Sequence, residues 1–101
     1  MENRRLQRVN SDIYRHVATY IQERAIAASV TKVETGADFG EAKIWVTAEV
    51  DALTRAADFL RAEIAKRFNM KRTPKLRFIL DRGRENADRV EELLGQIRTG
   101  N

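Results

Sequence analysis

Seven Lys or Arg and a single acid fall within RAEIAKRFNMKRTPKLRF, the run from Arg61 to Phe78. Basic side chains at this density do one kind of chemistry well. They neutralise closely spaced phosphates by displacing condensed counterions, and Arg adds paired hydrogen bonds and stacking. Residues 61–77 carry a net +6, more than the +4 of the whole chain. Residues 1–15, with Arg4, Arg5, Arg8 and Arg15, are +2, whereas residues 16–60 and 78–101 are −3 and −1. A soluble surface mixes its signs, so this concentration points to an anionic partner. On composition alone the competing reading is stronger: a solvated helix end, with Lys66 and Arg67 complementing the macrodipole and Lys71 and Arg72 in a loop.

Other reactive side chains give less. His16 is the only histidine and cysteine is absent, so no metal-ligand set forms around it and a structural role is expected. Asp81, next to Arg82 and Gly83, is expected to cap a following helix or to pair with an arginine. Trp45 beside Lys43 could stack on a base, but an aromatic on a sheet more often packs, here under the last helix. With no glycine-rich phosphate loop, nucleophile motif or carboxylate pair, no catalytic residue, cofactor, metal or small-molecule substrate is expected. No apolar run approaches the length of a membrane span, and MENRRLQRV lacks the apolar core of a secretory signal. A cytoplasmic protein without membrane contact is the expectation, and 101 residues at 43% hydrophobic make one domain, 1–101.

Hydrophobic spacing supplies the elements that must position these side chains. Leu6, Val9, Ile13, Val17 and Ile21 predict a helix over about 5–23, with Arg4, Arg8 and Arg15 on another of its faces. Val30, Thr31, Val33 and Thr35 suggest a strand, although Val30 and Val33 break strict alternation. The turn TGADFGEA leads into KIWVTAEV, a second strand in which Ile44, Val46, Ala48 and Val50 alternate with Lys43, Trp45, Thr47 and Glu49. Asp51 is expected to cap a helix carrying Leu53, Ala57, Leu60, Ile64 and Phe68, which ends before Pro74. Leu76, Phe78 and Leu80 give a third strand, and Ala87, Val90, Leu93, Leu94 and Ile97 a last amphipathic helix. A short turn makes the first two strands antiparallel and a helical crossover makes the second and third parallel. The Ile44 and Phe78 sides should face the helices and the Trp45 side should face away.

Four segments in order, RRLQRVNSDIYRHV, VTKVETGADFGEAKIWV, AADFLRAEIAKRF and KRTPKLRFILD, resemble the ribosome-binding factor A family, assembly factors of the bacterial small ribosomal subunit. Ala57, Phe59, Leu60 and Arg61 match that family's Ala-Gly-Phe-Ile/Leu-Arg kink. Pro74, Leu76, Phe78 and Asp81 match its Pro-x-Leu-x-Phe-x-x-Asp strand, and Asp38, Ala42 and Lys43 match the turn into its second strand. The final RVEELLGQI also fits. The resemblance implies a two-layer α+β, type II KH-like fold, ordered α-β-β-α-kink-α-β, with a small mixed three-stranded sheet and an added C-terminal helix. It implies a non-catalytic factor that binds immature 16S rRNA and supports maturation of the 30S subunit, expected here to act as a monomer. With the family in view, the basic run reads as a binding face. The RNA-binding residues expected are Arg4, Arg5, Arg8, Arg15, Lys43, Arg61, Lys66, Arg67, Lys71, Arg72, Lys75 and Arg77. The alternative from another class is a protein-interaction module that dimerises through the last helix.

The sequence departs from the family at three places. Asp58 stands where Gly or Ser is usual, residues 52–56 make a short helix before the kink, and ERAIAAS replaces an Asp-Pro-Arg turn. Local propensity favours a continuous helix, because Ala is the best helix former and neither Gly nor Pro interrupts it. The resemblance places a kink at Ala57 and Asp58, with Asp58 as N-cap of the second segment.

Overall fold

In the computed structural model, which describes residues 3–83, the stripe Ile13, Val17 and Ile21 is buried by helix α1 (Asn3–Glu23). α1 stops without a glycine. Ala25 takes φ 54°, the Ala25 amide donates to Gln22 O at 3.1 Å and the Ile26 amide to Ile21 O at 3.0 Å. These are the paired bonds of a Schellman cap, and they replace the helix-end carbonyl partners missing beyond Glu23. Ile26 then packs back onto the core.

Strands β1 (Val30–Thr35), β2 (Glu41–Val46) and β3 (Lys75–Leu80) form one sheet in the order β1-β2-β3. β1 runs antiparallel to β2 and β3 parallel to it, the mixed arrangement that the short turn and the helical crossover require. The broken alternation of β1 has a local cause. Val30 pairs with Val46 and Lys32 with Trp45, so two steps on β1 answer one on β2, and Thr31 is the extra residue of a bulge. Past the bulge the side chains resume their inward and outward order.

Two sequence expectations change at the crossover. The alternation through Ala48 and Val50 does not extend the strand, since β2 ends at Val46. Glu49, in the left-handed region at φ 60°, is the N-cap of α2 (Val50–Arg55) and makes no side-chain cap bond. Asp51 therefore lies inside the first turn and does not cap; an N-cap needs non-helical backbone, and at Asp51 the helix has already begun. The helix does break, one residue before the expected kink. Ala56 (φ −92°, ψ −1°) separates α2 from α3 (Ala57–Arg67). Its amide reaches three residues back to Leu53 O at 3.1 Å, and its own carbonyl accepts the Leu60 amide at 2.9 Å. Ala56 is thus the N-cap of α3, with no side-chain cap hydrogen bond. The cap expected at Asp58 is not formed, because Ala57 and Asp58 are already helical; exposed Asp58 sits in the first turn, where a carboxylate complements the dipole.

The core joins Ile13, Val17 and Ile21 of α1, Ala42, Ile44 and Val46 of β2, Leu53, Leu60, Ile64, and Leu76 and Phe78 of β3. The fold is α+β in two layers, helices on one face of the sheet, as a KH-like plan requires. The last amphipathic helix, with Ala87, Val90, Leu93, Leu94 and Ile97, lies outside the described residues.

An alanine in the left-handed region carries a steric penalty of about 1 kcal/mol that glycine escapes, partly offset by the greater freedom of glycine in the unfolded chain. Ala25→Gly is expected to stabilise the protein by roughly 0.5 kcal/mol, seen as a higher urea midpoint with an unchanged slope. An unchanged or lower midpoint would refute the account of the α1 terminus.

Candidate nucleic-acid interface

The basic residues that lie close together in sequence are separated by the fold onto different surfaces. Arg5 and Arg8, one turn apart on α1, line a depression of about 500 Å³ together with Lys71 and Arg72 from the loop after α3. Val9, Asp12, the turn residues Ala37, Asp38 and Phe39, and Phe68, Asn69 and Met70 complete it. Arg4 is exposed in the first turn of α1. This depression is one of two places where the two basic regions of the sequence meet.

Its walls are positioned by specific bonds. The Thr35 amide donates to Asn10 Oδ1 at 2.9 Å, tying α1 to the end of β1. The β1–β2 turn closes through Phe39 N to Gly36 O at 2.9 Å and Gly40 N to Asp38 Oδ1 at 2.9 Å. α3 ends in a second Schellman arrangement, with Asn69 at φ 50° and the Met70 amide on Ala65 O at 3.1 Å. Buried Pro74 and the Lys75 amide on Gly40 O at 3.0 Å fix the far end of the loop. Lys71 and Arg72 are exposed between these anchors.

Arg61 has a different task. Its Nε and Nη2 donate to Thr73 O at 3.0 and 2.8 Å, and the side chain is half-buried. The guanidinium is engaged in holding the loop to α3. A cation spent on a backbone carbonyl positions Lys71 and Arg72 and offers little of its own fork to a phosphate.

Arg15 and Arg67 line a second groove, of about 680 Å³, between α1 and α3. Tyr14, at 45% exposure, stands there too. The Arg67 guanidinium lies 5.8 Å from the Phe68 ring centroid. His16 closes the groove floor: its Nε2 is 2.9 Å from Glu63 Oε1, and its ring meets Phe68 edge-on at 6.4 Å. That is the structural role expected of it. Lys66 is exposed on the last turn of α3.

Lys43, Lys75 and Arg77 belong to a third surface, the face of the sheet opposite α1 and α3, where they are exposed. Lys43 stands between Glu34 of β1 and Arg77 of β3, and Lys75 stands opposite Glu41, so this face mixes bases with acids. Trp45 is half-buried on that face, with Lys32 Nζ 5.0 Å from its ring centroid. The helix expected to cover it lies outside the described residues. Asp81 accepts a hydrogen bond from the Thr31 hydroxyl, the bulge residue, so it ties β1 to the end of β3.

Phe39 was legible only as part of a turn. An aromatic between Asp38 and Gly40, where turn residues are usually small and polar, is the signal that distinguishes it. In the fold its ring lies 5.5 Å from the Arg5 guanidinium.

A protein-family model described as ribosome-binding factor A matches residues 5–94. The chain is 37% identical to the ribosome-binding factor A of Rhodopirellula baltica, an alignment covering 97% of this chain and 82% of that protein. It is 38% identical to that of Thermosynechococcus vestitus, over 93% and 87%. The crystal structure of ribosome-binding factor A from Thermus thermophilus superposes with a TM-score of 0.65 at 26% identity, over 74% of this chain and 94% of that one. A homology model of the Thermus thermophilus factor, fitted into a cryo-EM map of its complex with the 30S subunit, gives a TM-score of 0.61 at 29% identity, over 72% and 91%.

Arg61→Gln is expected to destabilise the protein by about 1–2 kcal/mol, the worth of charge-assisted bonds to a carbonyl at a half-buried site. Lys71→Gln and Arg72→Gln should each stay within about 0.5 kcal/mol of the parent. Chemical denaturation of the three variants separates the roles, and equal midpoints would return Arg61 to the binding surface.

Proposed function

The chain belongs to the ribosome-binding factor A family, and from that premise we propose that it is a non-catalytic assembly factor that binds immature 16S rRNA and supports maturation of the 30S subunit. The observation that carries this reading is the convergence of Arg5 and Arg8 with Lys71 and Arg72 around one depression. Cations gathered from α1 and from a loop more than sixty residues later form a surface that phosphates can bridge. Each phosphate neutralised releases counterions, which supplies affinity without reading sequence. Positioning on a folded RNA then follows from where the cations stand relative to the rest of the domain. The relative fitted into the map of a 30S complex supports the same partner. The factor works as one cytoplasmic, monomeric domain, with Arg4, Arg15, Lys66 and Arg67 extending the basic surface along the helices.

Cosedimentation with immature small subunits, with mature small subunits and with large subunits tests the assignment, and enrichment on the immature small subunit is expected. The quadruple variant Arg5→Gln, Arg8→Gln, Lys71→Gln, Arg72→Gln should remain folded and bind RNA more weakly. Its log–log salt slope should flatten by roughly 0.7–0.9 for each phosphate that is no longer neutralised. A folded variant with unchanged affinity and slope would remove the depression from the interface. Salt-insensitive binding would point instead to an apolar protein interface.

A further inference from the structure

The depression that gathers these cations holds more than positive charge. It is a half-open hollow of about 500 Å³, a volume in the range of small-ligand sites. Phe39 lines it, and the Arg5 guanidinium lies over the Phe39 ring at 5.5 Å. A guanidinium held against an aromatic face presents a flat surface while its N–H donors remain at the rim. Phe39 also sits at φ 59°, a backbone state that glycine adopts without strain and that the turn does not need an aromatic to fill.

Two carboxylates, Asp12 and Asp38, stand among the cations. They would repel an acidic peptide. A nucleotide suits both signs: its phosphate meets the cations, and the exocyclic amino group of cytosine, adenine or guanine can donate to a carboxylate. A base stacked inside a duplex cannot enter such a hollow, whereas an unpaired base can turn its face to an aromatic or a guanidinium.

Resting on the RNA-binding reading above, we propose that this depression seats one unpaired nucleotide of the RNA. Its phosphate lies among Arg5, Arg8, Lys71 and Arg72. Its base stacks against the Arg5–Phe39 pair, and Asp12 favours amino-bearing bases over uracil.

Anisotropy titrations with short labelled oligo(C), oligo(U) and an RNA duplex test the seat. Phe39→Gly removes the ring while keeping the backbone state, so the variant should fold, which circular dichroism checks. It is expected to weaken oligo(C) binding about tenfold and duplex binding by less than about twofold. Phe39→Tyr should recover the single-strand affinity, and Asp12→Asn should narrow the preference for oligo(C) over oligo(U). Oligo(C) binding that is abolished in the four-cation variant yet indifferent to Phe39→Gly would overturn the seat alone. Displacement of oligo(C) by polyglutamate at equal charge would overturn it in favour of an acidic peptide. If no RNA bound even at low salt, the parent reading and the seat would fall together.

Discussion

β2 is the middle strand of three, and its inward residues Ala42, Ile44 and Val46 are wholly removed from water. Among the described residues there is one core, and it is completed on that face. α1 supplies Ile13 and Val17 and α3 supplies Leu60 and Ile64, all of them fully buried against it. The requirement to cover β2 fixes where both helices lie, and with them every charged side chain on their outer surfaces. Arg5 and Arg8 come to one end of the sheet because they precede Ile13 on α1. Lys71 and Arg72 come to the same end because β3 begins beside Glu41, where β2 begins.

The interruption at Ala56 leaves both parts of the crossover on that core. Broken at Ala56, the crossover buries Leu53 from one segment and Leu60 and Ile64 from the other, all fully. Alanine propensity could not reveal this, since the break falls at an alanine and uses no side-chain cap. A family's kink motif reveals it because that motif already records the packing.

What was legible in the sequence was whatever repeats with a secondary-structure period. α1, β2 and β3 follow from spacing, and the parallel and antiparallel pairings follow from the lengths of their connections. Features set by a single backbone angle were hidden. Ala25, Glu49 and Phe39 adopt positive φ without being glycine, so the cap of α1, the start of α2 and the β1–β2 turn carry no residue-type signature. The bulge at Thr31 showed only as a fault in the alternation of β1, although it is what aims Thr31 at Asp81.

The basic run shows why a charge count along the chain is a poor map of a charged surface. Its Lys75 and Arg77 alternate with buried Leu76 and Phe78, so the pleat that secures the core turns them to the sheet's other face. Arg67 follows the helical repeat toward α1, and Arg61 turns inward to Thr73. Lys71 and Arg72 meet Arg5 and Arg8 at one end of α1, while Arg67 meets Arg15 further along it. A surface assembled from Arg5, Arg8, Lys71 and Arg72 exists only while α1 is docked on β1 and β2, because the helix and the loop that supply it are far apart in the chain. Affinity for an anionic partner is therefore coupled to the integrity of the core: ligand that requires the docked arrangement stabilises it by mass action, and loosening α1 weakens binding without touching a single cation.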